Sequence, residues 1–311
     1  MNDPADILTP DAFRLLHAIA QAGSFAGAAR TLGLVPSALT YRVRQIEEAL
    51  DVLLFDRSRR QARPTPAGME LLAQGERLRQ EVDALVRRVQ RVATGWESEF
   101  TMAVDGVVAQ SVLLDLCCDF YALNPPTRLR LRTEILSGTL DALTSGQADL
   151  ALGVTLEPAS AANLRARPLG SVRFVYAMAP THPLAQQPEP LSDAQLLAHR
   201  AVVVADSTPG AATLSFGLLA GQQTLTVSSL QAKLEAHLRG LGVGFLPEPL
   251  ARPWLANGQL VARRVERSTR TATLHYAWPA HVQPGKALSW WLDRLERPIT
   301  RRALLQAPAS V

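Results

Sequence analysis

Cysteine is almost absent from this 311-residue chain, which contains only Cys117 and Cys118. Adjacent residues on a helix point in different directions and cannot easily form a disulfide with each other, so both thiols are expected to be reduced and buried. Long apolar runs are also missing, because no stretch reaches the roughly 18 uninterrupted apolar residues of a membrane-spanning helix. The first six residues combine neither a basic start nor an apolar core, so we expect a protein that stays in the cytoplasm and has no membrane partner.

Catalytic motifs are missing as well. The six histidines show no metal-ligand spacing, and there is no phosphate-binding loop, no Gly-x-Ser-x-Gly turn and no His-Glu-x-x-His pair. Isolated acids such as Asp105 and Asp206 could form a general acid–base pair, but no sequence neighbour would orient or activate them. The sequence therefore predicts a protein that is not an enzyme and has no metal site and no cofactor.

Positive charge is concentrated in one short segment. Hydrophobic residues make up 47% of the chain and charged residues 19%, an ordinary globular composition with enough length for two or three domains. The net charge is +4, and residues 30–63 hold seven arginines against four acids, a local excess of three positive charges. An arginine-preferring genome would explain the scarcity of lysine but not this clustering, which favours contact with nucleic acid.

The segment from Val35 to Leu50 carries two helical stripes of opposite chemistry. One stripe is apolar and consists of Leu39, Val43, Ile46 and Leu50. The other offers hydroxyls, an aromatic ring and a guanidinium, and consists of Ser37, Thr40, Tyr41 and Arg44. Pro36 suits the first helical position. A solvated surface is the alternative for the polar stripe, but Thr9-Pro-Asp opens one preceding helix and Ser24 caps another that ends at Gly33. Three helices in this order predict a helix-turn-helix whose last helix enters the major groove.

The polar segment from Asp51 to Arg63 is predicted to form a wing beside this motif. Arg57, Arg59, Arg60 and Arg63 can approach phosphates or a minor groove, with a solvated loop as the alternative, and at least one of them is expected to contact a phosphate. Thr40, Tyr41 and Arg44 are expected to reach base edges, although Arg44 could instead contact a phosphate.

Thr65 and Pro66 then begin a long helix with a regular apolar repeat. The repeat alternates steps of four and three through Leu71, Gly75, Leu78, Val82, Leu85, Val89 and Val92. A sustained 3.5-residue period is typical of a coiled-coil seam that needs a partner helix. We therefore predict dimerisation through Leu71, Leu78, Val82, Leu85 and Val89, with packing against the chain's own domain as the alternative.

From Gly95 onward, strand-like segments alternate with helical ones, which predicts a parallel sheet in two α/β halves. Ligands of such sheets bind beyond the carboxyl ends of the strands, close to helix N-termini. The residues that meet this rule are Asp105, Val107, Val108, Ser137, Gly138, Thr139, Asp206, Ser207, Thr208, Ser228, Gly244 and Phe245. Each has an alternative as a turn, a cap or a site of tight packing.

Several of these segments together resemble one protein family. Residues 22–30 and 32–47, then Leu54-Phe-Asp-Arg57, Arg60 and Thr65-Pro-Ala-Gly68, resemble the amino-terminal signature of LysR-type transcriptional regulators. Residues 146–153, 182–185 and 236–247 resemble the effector-binding region of that family with lower specificity. The chain departs from the signature at Val35-Pro36-Ser37, so the first base-contacting position carries over only to Pro36 and Ser37.

The resemblance implies an α/β protein with a winged helix-turn-helix, a long linker helix and a two-lobed effector domain like periplasmic binding proteins. The implied domains are 1–64, 65–95 and 96–311, with lobe I at about 96–164 and 270–311 and lobe II at about 165–269. The lobes would be joined by crossings near Leu164–Leu169 and Arg264–Leu274. The expected DNA-contacting residues are Ser24, Pro36, Ser37, Thr40, Tyr41, Arg44, Arg57, Arg60 and Arg63.

The predicted function is transcriptional regulation controlled by a small molecule. The expected partners are promoter DNA with an interrupted inverted repeat, a neutral or aromatic hydroxylated effector, RNA polymerase, and further copies of the chain in a homodimer or homotetramer. A solute-binding protein of the same lobed fold is one alternative, disfavoured because it would not need the first 93 residues. A DNA-binding protein whose lobes bind nothing is another.

Overall fold

The computed structural model of the protein describes residues 4–56, 61–155, 163–208, 217–266 and 271–306. The chain divides into two compact units, Met1–Val89 and Gln90–Val311. Within the described ranges, no helix is both long and apolar enough to cross a membrane.

The first unit contains helices and one short hairpin, and its last helix extends into the second unit. The elements are α1 (Pro4–Ile7), α2 (Pro10–Ala22), α3 (Phe25–Leu32), α4 (Pro36–Leu50), β1 (Phe55–Asp56), β2 (Arg63–Pro64) and α5 (Pro66–Thr94). The side chains of Thr9, Ser24 and Thr65 each accept a hydrogen bond from the backbone N–H three residues later. Gly33 ends α3 with φ at 66°. The predicted helix order and helix starts are confirmed.

The start of α5 packs on its own unit. Leu71 lies against the buried cluster formed by α2, α3 and α4. A Cβ atom on Gly75 would lie only 2.2 Å from Cδ1 of Phe13, so glycine is what lets α5 pass close to α2. The predicted seam is therefore corrected at Leu71 and Gly75, because α5 begins on the surface of the winged unit and its first three turns pack there.

The second unit consists of two lobes. The first lobe contains β3 (Glu99–Asp105), α6 (Gln110–Tyr121), β4 (Arg128–Glu134), α7 (Gly138–Thr144), β5 (Leu150–Val154), α11 (Lys286–Glu296) and α12 (Pro298–Leu305). The second lobe contains α8 (Asp193–Leu197), β7 (Ala201–Val204), β8 (Thr224–Val227), α9 (Leu230–Leu238), β9 (Gly244–Pro247), α10 (Glu248–Ala256) and β10 (Val261–Arg263). The strands β6 (Leu164–Met178) and β11 (Thr271–Pro279) run between them.

The strand pairing explains how the lobes are joined. Strand β3 pairs in parallel with β4 and β5, and β7 pairs in parallel with β8. Strand β6 pairs with β11 over its first two thirds and with β9 and β10 over its last third, always antiparallel. The expectation of a parallel sheet is therefore only partly right. The two long strands pass between the lobes in opposite directions, which makes their pairing antiparallel.

Two local expectations for α6 are also corrected. The sequence pattern predicts a helix from Val107 to Leu123, but α6 begins at Gln110. The N–H of Val107 donates to Asp105 Oδ1 and the N–H of Val108 donates to the carbonyl of Asp105, which makes a turn there. Cys117 is buried as expected, whereas Cys118 is exposed. Adjacent side chains on one helix point about 100° apart, so only one of the pair faces the core.

Candidate DNA interface and effector cleft

Helix α4 presents its two predicted stripes on opposite sides. Leu39 and Val43 are completely buried, whereas Tyr41 is 62% exposed. The hydroxyl of Thr40 donates to the carbonyl of Pro36 at 2.9 Å, and the Tyr41 hydroxyl accepts from Nε2 of Gln45 at 3.1 Å. Both hydroxyl oxygens keep lone pairs for a further partner. We call Ser37, Thr40, Tyr41 and Arg44 the reading face; all four are exposed or half-buried.

The N-terminus of α4 is open to an anion. Val35 occupies the cap position and provides no side-chain hydrogen bond, while Pro36 and Ser37 are exposed. Pro36 has no N–H, and the N–H of Ala38 donates to the carbonyl of Val35 at 3.1 Å, so the N–H of Ser37 is the first-turn donor without a described partner. It lies at the positive end of the helix dipole, so the start of α4 suits contact with an anion such as a phosphate.

The remaining predicted DNA contacts are placed unequally. Ser24 Oγ accepts from the N–H of Gly27 at 3.1 Å, so its first role is to cap α3. Arg63 lies exposed on β2, opposite Asp56 in the hairpin. Arg57, Arg59 and Arg60 lie outside the described residues.

Arg42 belongs to the basic cluster of the sequence but is half-buried and directed towards α2. Its guanidinium contacts the carboxylate of Asp11 on α2. This hydrogen bond is the main reason that the pKa of Asp11 is held below its ordinary value. Arg42 therefore holds α4 against α2, a role that its position between Tyr41 and Val43 does not reveal.

Glu47 is a buried acid that the sequence pattern places among the surface charges. It is 6% exposed at the C-terminal end of α4. Its Oε1 accepts from the backbone N–H of Leu54 at 2.9 Å and of Phe55 at 3.3 Å. The carboxylate thereby connects the reading helix to the first strand of the hairpin.

In the second unit, many predicted effector residues contact one another across the two lobes. Ser137 donates to Asp206 Oδ2 through its N–H at 3.2 Å and its hydroxyl at 2.7 Å, and the same hydroxyl lies 3.0 Å from Oγ1 of Thr208. Ser207 Oγ accepts from the N–H of Ile135 at 3.0 Å and donates to its carbonyl at 3.2 Å. We call this set the interlobe contact. These polar groups already satisfy one another, so an effector that used them would have to replace it.

Gly138 is required for the interlobe contact. A Cβ atom on Gly138 would lie 1.8 Å from Ser207 Oγ, so any side chain there would separate the lobes. The following residue, Thr139, is fully buried, and its hydroxyl has no hydrogen-bond partner among the described residues.

Asp105 lies at the end of β3, on the first lobe. Its Oδ1 accepts from the N–H of Val107 at 2.9 Å and its Oδ2 from the N–H of Leu136 at 3.2 Å. Burial raises the pKa of Asp105 to about 6, against the effect of those bonds, and the negative charge of Asp206 raises it further. Asp105 and Asp206 therefore interact electrostatically although they belong to different lobes.

A cavity of about 340 Å³ opens beside Asp105, between the lobes. Three of the predicted effector residues line it, namely Asp105, Val107 and Val108. Its other walls come from β4, from the start of α9 and from the start of α10, and they include Arg132, Thr133, Ser229, Leu230, Gln231, Pro247, Pro249 and Leu250. The remaining nine predicted residues do not line it.

Those remaining residues have other surroundings. Ser137, Gly138, Asp206, Ser207 and Thr208 form or permit the interlobe contact. Phe245 packs edge-to-face on Tyr176, with ring centroids 5.2 Å apart, Gly244 is buried beside Lys233, and Ser228 is exposed. The wall from α10 was missed because it reaches the cavity by long-range packing, for which the sequence carries no local signal. Just before α9 the strand-end rule selected Ser228, next to the wall residue Ser229. The described residues include no group of three or more acids, histidines or cysteines suited to hold a metal.

The exposed apolar stripe on α5 is the third candidate surface. Leu78, Val82, Leu85 and Val89 are between 42% and 62% exposed. Leu78 and Val82 border a groove of about 760 Å³ between α2 and α5, together with Phe13 and His17. A stripe of large apolar side chains in water favours an unmade contact with another helix.

Known proteins share both units. A model of the bacterial regulatory helix-turn-helix protein, lysR family, matches residues 10–69, and a model of the LysR substrate binding domain matches residues 93–298. Among curated relatives, the Escherichia coli transcriptional regulator YeeY, described as uncharacterized, is 36% identical over 285 residues, which is 92% of each chain. The probable Escherichia coli transcriptional regulator YhaJ is 37% identical over 290 residues, 93% of this chain and 96% of its own.

Solved structures have the same fold. Full-length CbnR, crystallised with its target DNA, superposes with a TM-score of 0.63 at 17% identity, covering 93% of this chain and 99% of its own. ArgP from Mycobacterium tuberculosis superposes with a TM-score of 0.55 at 22% identity, covering 95% of this chain and 98% of its own. With two family models spanning most of its length and relatives above 30% identity, this chain belongs to the LysR family of bacterial transcriptional regulators and carries that family's effector-binding domain.

Proposed function

We propose that the reading face of α4 recognises base edges in the major groove of promoter DNA, and that Arg63 and the start of α4 contact phosphates. The protein would then act in the cytoplasm, where bacterial promoter DNA is found. The observation that carries the proposal is the exposure of Tyr41 and Arg44 on the helix side opposite fully buried Leu39 and Val43. Because the apolar face of α4 is packed in the core, the side chains on the opposite face are held at fixed distances from one another, as recognition of base edges requires.

We propose further that two copies pair through α5, as a homodimer or within a homotetramer. The support is the stripe from Leu78 to Val89, which stays exposed on a helix already anchored at Leu71 and Gly75. A two-fold dimer presents two reading helices and so fits a DNA site with two-fold symmetry.

Selection of random duplexes by the full-length protein tests both parts. The expected result is enrichment of an interrupted inverted repeat, with half-sites separated by whole turns of the double helix. Enrichment of a single, unrepeated half-site would contradict the paired arrangement. Failure to enrich any sequence would contradict recognition by the reading face.

We propose that the cavity beside Asp105 binds the effector, and that this effector is neutral, with an aromatic ring and hydroxyl groups. The walls support a flat apolar body, because Val107, Val108, Leu230 and Pro247 contribute hydrocarbon, while Thr133 and Gln231 provide polar groups. Asp105 keeps its charge near pH 7, since its raised pKa of about 6 still lies below that pH, and so disfavours a dianion.

Calorimetry with catechol and phthalate as probes distinguishes these classes. Catechol is expected to bind the full-length protein, and Gln231→Trp, which fills the mouth of the cavity, is expected to abolish binding. Gln186→Trp, at an exposed position that does not line the cavity, should bind normally. Tighter binding of phthalate than of catechol, or equal binding by both variants, would refute the assignment.

A further inference from the structure

Glu47 occupies the place where the reading helix meets the hairpin. The chain leaves α4 through Asp51, whose left-handed backbone (φ 53°) lets its N–H return to the carbonyl of Glu47. The N–H of Val52 donates to the same carbonyl at 3.1 Å. The backbone carbonyl of Glu47 thus holds the first two residues that follow α4.

The side chain reaches further along the chain than the backbone does. Glu47 Oε1 accepts from the N–H of Leu54 and of Phe55, and Phe55 is the first residue of β1. Phe55 is 1% exposed and pairs with Pro64, and the next pair of the hairpin joins Asp56 to Arg63. The Glu47 carboxylate therefore helps to set the direction in which β1 leaves α4.

Other contacts fix the far side of the same segment. The N–H of Thr65 donates to the carbonyl of Leu54 at 2.9 Å, and the Thr65 hydroxyl donates to the carbonyl of Leu53 at 2.7 Å. The N–H of Ala62 donates to the carbonyl of Gly23 at 3.0 Å. These bonds attach the hairpin to α5 and to the turn before α3, which leaves the bonds from Glu47 as its described hydrogen-bonded connection to α4.

We infer that Glu47 is a positioning residue that sets the distance between the reading face of α4 and the phosphate-contacting hairpin. Two N–H groups bound to one carboxylate oxygen define a direction, and loss of that direction would let Arg63 move away from the phosphate while α4 stays in place. The inference rests on the proposed phosphate contact of the hairpin. It assigns to Glu47 a role that its negative charge, close to DNA, would not suggest.

Two substitutions separate geometry from charge. Glu47→Asp keeps the charge but is one methylene shorter, so its oxygen no longer reaches both N–H groups. Glu47→Gln removes the charge but keeps an oxygen at the same reach. The neighbour Glu48 is exposed on the same turn, so Glu48→Gln reports what the loss of one negative charge does by itself.

The measurement is the affinity of full-length protein for random duplex DNA at several salt concentrations, with thermal unfolding to verify that each variant is folded. Glu47→Asp is expected to bind about tenfold more weakly, with a slope of log K against log salt reduced by about one, because one phosphate contact is lost. Glu47→Gln is expected to match the wild type within about threefold, because it keeps an oxygen that can accept from Leu54 and Phe55. Glu48→Gln is expected to match it or to bind slightly better, because it removes an exposed negative charge.

Positioning by the Glu47 oxygen requires that Glu47→Asp loses affinity and salt dependence while Glu47→Gln keeps both. If Glu47→Gln loses as much affinity as Glu47→Asp, or if Glu47→Asp keeps the wild-type slope, the inference is wrong. A wild-type protein without any salt-dependent binding would instead refute the DNA interface itself, which keeps the two failures distinguishable.

Discussion

Helix α9 buries a lysine and a histidine one turn apart. The chain has two lysines, and one of them, Lys233, is 6% exposed on α9, with no ion pair among the described residues. Burial lowers its pKa to about 8. One turn later, burial and the charge of Lys233 lower the pKa of His237 to about 3. Neither shift could be predicted, because i and i+4 positions on an amphipathic helix indicate a shared face but not which neighbours cover it.

Replacing Lys233 by methionine is expected to stabilise the protein near pH 7, by on the order of 1–3 kcal/mol, because an unpaired buried charge gives way to a hydrocarbon of similar length. The folded pKa of about 8 lies below the ordinary 10.5, so the unfolded chain binds more protons between these values. Wild-type stability therefore rises with pH across that window, and the advantage of methionine should shrink there.

Urea unfolding at pH 7 and near pH 10 measures this difference. Lys286→Met is the matched control, since Lys286 is exposed, and it should change stability by less than about 0.5 kcal/mol at both pH values. A destabilised Lys233→Met at pH 7 would show that the ammonium has a partner that compensates its burial.

At the scale of elements, periodicity predicted helices well and their partners less well. The 3.5-residue repeat located α5 almost to its ends, yet its first two apolar positions pack on α2 and the core of the same unit. A repeat records that a face is apolar, whichever helix covers it. The exposed part of α5, from Leu78 onward, is the part that still requires a second helix.

Leu78→Asp is expected to dissociate the dimer, because it places a charge in an apolar contact at a cost on the order of 2–4 kcal/mol. DNA affinity should fall with it, while the second unit stays folded. Met69→Asp is the control, since Met69 is also a large apolar residue exposed on α5 but lies outside the stripe. Light scattering with an unchanged oligomer for Leu78→Asp would place the interface elsewhere.

For the whole molecule, the sequence was informative about the architecture and the exposed stripe of α4, and less so about the cavity between the lobes. Strand ends indicated Asp105, Val107 and Val108 correctly as neighbours of a cavity. The same rule selected Ser137 and Ser207, which bond across the lobes, because the hydroxyl of Ser137 meets the Asp206 carboxylate and the hydroxyl of Ser207 meets the Ile135 amide on the opposite lobe. Whether two loops face a cavity or each other depends on lobe closure, which no local pattern records.

The interlobe contact should be visible in hydrogen exchange. Ser207→Ala removes the acceptor of the Ile135 N–H. Exchange of that amide is therefore expected to be at least about tenfold faster, because a hydrogen bond between the lobes is lost. Ser228→Ala, at an exposed position without a described side-chain bond, should leave it unchanged. Unchanged exchange in Ser207→Ala would show that the lobes are not held together at this point.

The central claim is that α4 reads sequence while the hairpin holds phosphates, and binding to selected and random DNA at several salt concentrations tests it most directly. Tyr41→Ala is expected to lose about 1–3 kcal/mol on the selected site and little on random DNA, with an unchanged salt slope. Arg63→Ala is expected to weaken both complexes alike and to reduce the slope by about one. The claim fails if Tyr41→Ala leaves discrimination intact, or if Arg63→Ala affects only the selected site.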